Sequence, residues 1–315
     1  MNDDTLNFLY CFDSNYHNQA FTSIHSLLEN VSKKINIFVI HNREFSVTEL
    51  PDSIANHNNL KNFKSYKFVD KEHTFPNLEN AHLSEATYYR LFIENYLPSD
   101  IQKLIYLDGD TVCINNPIPA IESQLKHLDE SNKIIAARTE YTIQNNPDSE
   151  TFKRLNIDTS YFNAGVLLIN YRKWKENNLT NKLLKHMKKI QNDIVTWDQD
   201  VMNSLFNGDY VELKNTLNFN ANSYDIEKEV SSKVSILHYI GSKKPWLTSG
   251  ALRYPASSNY YQLHFSKISL KPFHIIHKWK RASLIEFITA VFNFKIFKLR
   301  NPLLYSKELF KSFFY

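Results

Sequence analysis

Short apolar runs rich in β-forming residues alternate with stretches whose apolar positions recur every three or four residues, and this alternation extends over most of the 315-residue chain. Residues 6–12 predict a first strand. Residues 18–31 carry Phe21, Ile24, Leu27, Leu28 and Val31 on one stripe and predict an amphipathic helix, and residues 34–41 predict a second strand, which together make a right-handed βαβ opening. A helix over 47–57 and a strand over 63–69 continue the series. Residues 72–84 lack a period and contain Pro76, which predicts a loop over the sheet edge. A helix over 86–96 follows, stopped by Pro98, with Arg90 inside its apolar face, where a carboxylate or a phosphate has to satisfy it. Strands are expected at 104–107, 133–137, 166–170 and 236–240, with a polar loop over 138–149. Residues 171–190 read as one long basic helix, and a further helix opens at Trp197-Asp198-Gln199-Asp200 with Asp198 as its candidate N-cap. The whole predicts an α/β fold on a mainly parallel sheet, whose ligands bind at the carboxyl ends of the strands.

The densest chemistry lies in KLIYLDGDTVC, residues 103–113. A buried strand there delivers Asp108 and Asp110 to its C-terminal edge. On an extended backbone, residues two apart face the same way, and Gly109 between them permits a second backbone to approach closely. Two carboxylates held this close favour a cation between them, and hard oxygen ligands suit Mg²⁺ or Mn²⁺ completed by substrate phosphates. The plainer alternative is a solvated turn with two surface aspartates. A second cluster is HYIGSKKPW at 238–246, where a histidine, a glycine and a lysine can meet a metal and a diphosphate together. Asn163 precedes an expected strand, where its amide can bind hydroxyls or simply form a turn.

With 43% hydrophobic residues and 14% aromatics the chain can build a real core, and with only 5 glycines it carries neither a dinucleotide-binding glycine loop nor a P-loop. Cys11 and Cys113 sit in apolar, strand-like contexts and read as core residues of a reducing compartment, and MNDD at the start leads into apolar sequence without an export signal. The net charge of +4 is unevenly placed: residues 267–315 hold ten basic residues and two acidic ones, giving +8, and residues 1–266 carry −4. In that tail Glu286, Thr289 and Asn293 leave a broad apolar face over 284–294, flanked by lysines and arginines. Trp279, Phe287, Phe292, Phe294 and Phe297 complete a pattern that suits a helix lying in a membrane interface. It is too short and too charged to span. Packing on the protein's own core is the alternative, and nucleic acid is disfavoured because the body is acidic and no groove-reading motif is present.

Six stretches taken in order, FDSNY (12–16), TYYRL (87–91), YLDGD (106–110), FNAGVLLIN (162–170), WDQDVMN (197–203) and HYIGSKKPW (238–246), resemble the retaining glycosyltransferases of family 8. The resemblance is strongest to the bacterial lipooligosaccharide α-galactosyltransferase and lipopolysaccharide glucosyltransferase branch. It implies a GT-A catalytic domain over 1–266, a Rossmann-like nucleotide-binding sheet, followed by a basic membrane-association region over 267–315 at the cytoplasmic face of the inner membrane. It further implies a UDP-hexose donor, a lipooligosaccharide or oligosaccharide acceptor, and Mn²⁺ or Mg²⁺ on Asp108, Asp110 and His238. Asp13 and Asn15 would meet the uracil and ribose, Gly241 and Lys244 the diphosphate, and Arg90, Asn163, Asp198 and Gln199 the sugar hydroxyls, with Gln199 near the β face of the anomeric carbon. Glu140 stands where the family has a sugar-binding aspartate. His82, Thr196, Trp197, Asn220 and Asn222 are acceptor candidates by position. Same-face attack is favoured because an amide is a poor nucleophile, although double displacement through Asp198 or Asp200 stays open. Two other classes compete. A phosphatase of the haloacid-dehalogenase type would need the glycine after the second aspartate, which is the reverse of the order here, and a non-catalytic lipid-surface module would not need the polar motif positions filled.

Overall fold

A computed structural model of the chain describes residues 5–76, 84–222 and 233–314. The strands are β1 (Asn7–Phe12), β2 (Ile35–His41), β3 (Leu60–Lys67), β4 (Lys103–Leu107), β5 (Thr111–Cys113), β6 (Ile135–Thr142), β7 (Ser160–Asn170), β8 (Val211–Glu212), β9 (Phe219–Asn220) and β10 (Ile236–His238). The helices are α1 (His17–Asn30), α2 (Asp52–Ala55), α3 (Ile93–Tyr96), α4 (Ile118–Glu130), α5 (Glu150–Leu155), α6 (Tyr171–Glu176), α7 (Leu179–Lys189), α8 (Trp197–Phe206), α9 (Thr248–Arg253), α10 (Pro255–Ile268), α11 (Lys280–Phe292) and α12 (Pro302–Lys311).

A seven-stranded sheet runs in the order β3-β2-β1-β4-β7-β6-β8, and a three-stranded sheet in the order β5-β10-β9. The large sheet is mixed, which corrects the mainly parallel expectation. β3, β2, β1 and β4 are parallel, whereas β7 runs antiparallel to both β4 and β6. Both faces are covered by apolar clusters, one centred on Leu9, Leu104, Tyr106, Phe162 and Leu167, the other on Phe8, Tyr10, Ile24, Ile105 and Leu168. Alternate residues of β1 and β4 feed opposite clusters, as a strand buried on both sides requires. Cys11 and Cys113 are buried and free, in keeping with their apolar contexts.

Other boundaries move for identifiable reasons. The helix expected over 47–57 breaks at Pro51 into a 3₁₀ turn and α2. The long basic helix over 171–190 is two helices, because Asn178 adopts a left-handed conformation (φ 51°) between α6 and α7. β6 continues to Thr142, so the loop expected from 138 begins later, and β7 begins at Ser160, so Asn163 and Gly165 lie inside the strand and not before it. The segment over 86–96 is mostly a 3₁₀ helix, Glu85–Phe92, followed by α3.

Residues after 267 are packed on the body. Ile276 bridges to Leu247, the backbone N–H of His274 donates to Gln262, and Phe273, Ala290, Ile296, Leu299, Tyr305 and Leu309 form a cluster with Ala251 and Leu252 of α9. α11 buries Ser283 and turns Glu286 toward Lys243, leaving Leu284, Ile285, Ile288, Val291 and Phe292 exposed. Trp279, Phe294 and Phe297 are exposed beside them, at 71%, 73% and 63%. Phe287 departs from the expected set: it packs edge-on against Phe310, with ring centroids 5.2 Å apart. Among the described residues no helix is long and apolar enough to cross a membrane.

Candidate active site at the junction of the two sheets

Asp108, Gly109 and Asp110 form the corner where the chain leaves the large sheet at the end of β4 and enters the small sheet at β5. The two carboxylates therefore converge through a turn, not through strand alternation. The ladder holds both ends of that turn, since Asp108 N–H donates to Gly165 O (2.8 Å) and Thr111 N–H to Asp108 O (3.2 Å). Gly109 is needed for closeness: a Cβ there would lie 3.1 Å from the Tyr16 ring and 3.3 Å from Ala20 Cα of α1.

The small sheet brings in the third candidate ligand. β10 is antiparallel to β5 with His238 opposite Thr111, and Tyr239 N–H donates to Asp110 O (3.0 Å). His238 Nε2 comes to 3.3 Å from Asp110 Oδ1 and 3.9 Å from Asp108 Oδ2, and one donor atom from each residue falls within 4.8 Å of the other two. An octahedral ion with bonds of ~2.1 Å sets neighbouring ligands ~3.0 Å apart and opposite ones ~4.2 Å apart. The observed separations fit such an ion, and two carboxylates with one imidazole suit Mn²⁺ or Mg²⁺.

Each carboxylate spends one oxygen on being held and turns the other inward. Asp108 Oδ1 accepts from Tyr106 OH (2.6 Å) and pairs with Arg90 (3.1 Å), leaving Oδ2 toward His238. Asp110 Oδ2 takes Lys244 Nζ, which also donates to Tyr239 O (2.7 Å). Burial alone would raise the Asp110 carboxyl, but Lys244 and His238 hold it well below the usual carboxylate range. On its far side His238 Nδ1 meets Asn218 Oδ1 (2.9 Å), Asn218 donates to Asn163 Oδ1 (3.0 Å), and Asn163 donates to Glu140 (3.0 Å). The Gly165 backbone N–H also donates to Asn163 Oδ1 (3.0 Å). A backbone N–H can only donate, so it fixes the direction of the whole relay and puts a proton on His238 Nδ1, which leaves Nε2 as the ring atom that faces the carboxylates and would bind an ion there.

Arg90 is the buried hub. The 3₁₀ helix has three residues per turn, so Thr87 and Arg90 lie one above the other. Thr87 donates to Asp198 Oδ1 (3.1 Å), and Arg90 Nε lies 2.7 Å from Asp198 Oδ2 in an ion pair off the hydrogen-bonding axis. Arg90 also donates to Ala164 O (2.5 Å) and stacks over Tyr106 at 4.3 Å. Burial would lower its pKa, yet Asp108 and Asp198 raise it, so it stays charged. Asp198 is not an N-cap; Thr196 holds that position, and burial lifts the Asp198 carboxyl to about 6 against the pull of Arg90. Asp200 is fully buried and accepts from Tyr161 OH, Arg154, Val195 N–H and Thr196 N–H. Three of these partners converge on Oδ2 and Tyr161 holds Oδ1, so the carboxylate is fixed in place.

The remaining expected residues sit around this centre. Asp13 directly follows β1 and caps the next 3₁₀ turn by accepting from Asn15 N–H (2.9 Å), in the segment that carries Tyr16 onto Gly109. Gly241 has φ 80° with open space around it, so backbone conformation and not crowding calls for glycine there. Asn222 is pinned beside it by donation to Ile240 O (2.6 Å), and Asn220 Oδ1 accepts from Asn222 N–H. Trp197 opens α8 at φ 46°, a strained conformation for a bulky residue. His82 lies outside the described residues. Sequence reasoning missed Asn218, Tyr161, Thr87 and Tyr106 as site residues. The last three lie in or beside the recognised motifs, whereas Asn218, between Leu217 and Phe219, gave no signal beyond a polar residue in an apolar setting.

The geometry agrees with the comparisons. The sequence profile of Glycosyl transferase family 8 matches residues 7–250. A Haemophilus influenzae protein assigned to the glycosyltransferases is 32% identical over 77% of this chain and 73% of its own length. The lipopolysaccharide 1,2-glucosyltransferase of Escherichia coli K12 is 28% identical over 77% of this chain and 73% of that protein. The crystal structure of the galactosyltransferase LgtC with donor and acceptor sugar analogues superposes with a TM-score of 0.68 at 20% identity, covering 88% of this chain and all of that one, and so shares its GT-A-like fold. With a matching profile over most of its length and a sheet junction that gathers the motif carboxylates, this chain belongs to glycosyltransferase family 8.

Proposed function

We propose that this glycosyltransferase moves galactose or glucose from a UDP-sugar to a lipooligosaccharide or lipopolysaccharide core acceptor, with retention at the anomeric carbon and dependence on Mn²⁺ or Mg²⁺. The observation that carries the reading is the convergence of Asp108, Asp110 and His238 onto one point, with Lys244 beside it. The names of the lipopolysaccharide-modifying relatives supply the acceptor class. These three residues would hold a divalent ion, and the chemistry it would supply when bound is Lewis acidity toward the diphosphate. Lys244 and the Gly241 turn face the same diphosphate, and Lys244 neutralises charge that gathers there as the sugar leaves. Asp13 and Asn15 at the β1 edge receive the uracil and ribose. Arg90, Asn163 and Asp198 hold sugar hydroxyls, and Gln199 presents its amide to the β face of the anomeric carbon. The acceptor hydroxyl attacks from the face that UDP leaves, and a diphosphate oxygen takes its proton. The anchoring of Asp200 by Tyr161 and Arg154 and the Arg90 pairing of Asp198 favour this course over a covalent glycosyl-enzyme.

Residues 1–266 form the catalytic unit in this reading and 267–315 bind the cytoplasmic face of the inner membrane. Support comes from the outward apolar side of α11, from exposed Trp279, Phe292, Phe294 and Phe297, and from the +8 charge of this segment. The experiment is a donor screen across UDP-sugars with Mn²⁺, reading UDP release. UDP-galactose or UDP-glucose should be consumed, and Asp108→Ala should abolish the signal. Metal-loaded wild-type protein that neither binds nor turns over any UDP-sugar would overturn the reading and leave a lipid-surface module in its place.

A further inference from the structure

Gln199 reaches from α8 toward β7, where both ends of its amide are held. Its Oε1 accepts the Ala164 backbone N–H (3.0 Å), and its Nε2 donates to the Tyr161 hydroxyl (3.2 Å). Tyr161, buried at the start of β7, donates in turn to Asp200 Oδ1 (2.7 Å). Asp200 is fixed by Val195 N–H (2.7 Å), Thr196 N–H (2.8 Å) and Arg154 (2.8 Å), all on Oδ2. Asn203, one turn after Gln199 on α8, accepts from Phe162 N–H (2.7 Å) and donates to Phe162 O (2.9 Å), which locks the helix to the strand.

The direction of every link follows from two groups that have no choice. The Ala164 N–H can only donate, and an ionised aspartate can only accept. The amide oxygen must therefore face Ala164, the amide nitrogen must face Tyr161, and the phenolic proton must go to Asp200. Turning the amide over would set N–H against N–H at Ala164 and take from Tyr161 the donor it now receives. One lone pair of Oε1 is occupied by Ala164, and the other is left with a single fixed direction.

We propose that Tyr161, held by Asp200, is a positioning residue that fixes the orientation of the Gln199 amide for the transfer reaction. This rests on the proposed role of Gln199 at the anomeric carbon. Neither Tyr161 nor Asp200 touches the sugar; both act through Gln199. The role of the buried aspartate is thereby reversed from the one that its place in the WDQD motif invites, since it anchors the positioning chain and is not itself a nucleophile.

The test is a double-mutant cycle of Tyr161→Phe and Gln199→Ala on the full-length protein, measured with the UDP-sugar found by the donor screen. Phenylalanine keeps the ring that stacks on Tyr141 (centroids 5.0 Å apart) and removes only the hydroxyl. Tyr161→Phe should lower kcat about tenfold, the worth of roughly one hydrogen bond made in the transition state, with the donor KM within about twofold of wild type. In the Gln199→Ala background the same change should cost nothing further. Unchanged kcat in Tyr161→Phe, or an equal loss with and without Gln199, overturns the proposal while leaving the transferase reading intact. A rise in KM that accounts for the whole loss also overturns it, because general damage to the site would do that. Wild-type protein inactive with every UDP-sugar overturns the transferase reading, and this inference with it.

Discussion

Replacing Gly165 by alanine tests the site at its tightest point. Gly165 lies in β7 directly under the His238 ring, and a Cβ there would fall 2.1 Å from Cε1 and 2.8 Å from both ring nitrogens. An ordinary contact begins at 3.4 Å, so the ring has to retreat by about 1.3 Å. Neither direction is free. Moving outward draws Nε2 away from Asp110, now at 3.3 Å, and breaks the 2.9 Å hydrogen bond from Nδ1 to Asn218. Losing that buried bond costs roughly 1–3 kcal/mol of stability. Displacing a metal ligand by about 1 Å should weaken Mn²⁺ binding by about tenfold to a hundredfold, comparable to the loss of a supporting hydrogen-bond partner. Gly165 is a strand residue without a positive φ, so the added methyl acts through space and not through backbone strain. The assay is Mn²⁺ titration by calorimetry or by the electron paramagnetic resonance of the free ion, with a thermal melt alongside. Wild-type Mn²⁺ affinity in a folded Gly165→Ala protein would refute the argument that His238 is a ligand positioned by contact with this strand.

Two further outcomes follow from other parts of the molecule. Burial, with His25 adding to it for His264 and Lys271 for His274, lowers both side chains to about 4 from the ordinary 6.5. The folded protein keeps them neutral while the unfolded chain takes up protons below pH 6.5. Their stabilisation is therefore full above that pH and is lost between about 6.5 and 4, at up to about 1.4 kcal/mol per pH unit for each. The melting temperature should fall between pH 7 and pH 5, and a constant value would contradict the assignment. On the C-terminal face, the triple change Trp279→Ser, Phe292→Ser and Phe294→Ser should abolish co-sedimentation with vesicles containing anionic lipid and leave UDP release unchanged; retained sedimentation would remove this face as the membrane contact. Point changes are used because deleting residues 267–315 would also strip the cluster around Phe273 and Tyr305 from α9.

The sequence alone carried the alternation of strand and helix, the strand that leads into Asp108 and Asp110, the glycine between them that permits a close backbone approach, and the motif order that marks the family. These are local or ordered along the chain: period, turn chemistry and spacing survive without coordinates. It also left clear the asymmetry between an acidic body and a basic, aromatic C-terminal segment. What only the tertiary structure decided are the pairings between distant strands. The antiparallel insertion of β7 makes the sheet mixed and sets Gly165 opposite Asp108, because strand partners depend on which edges meet and not on either strand's own pattern. The register of β10 on β5 decides that His238 reaches the carboxylates. Asn218 and Tyr161 acquire their roles only through hydrogen bonds to residues far away in the chain, where no period or spacing records them. Asp198 and Asp200 stand two residues apart in one helical turn, yet one turns to Arg90 and the other to Tyr161 and Arg154. The cause is that neighbouring helical side chains point in different directions, and the surrounding fold supplies each with a different partner.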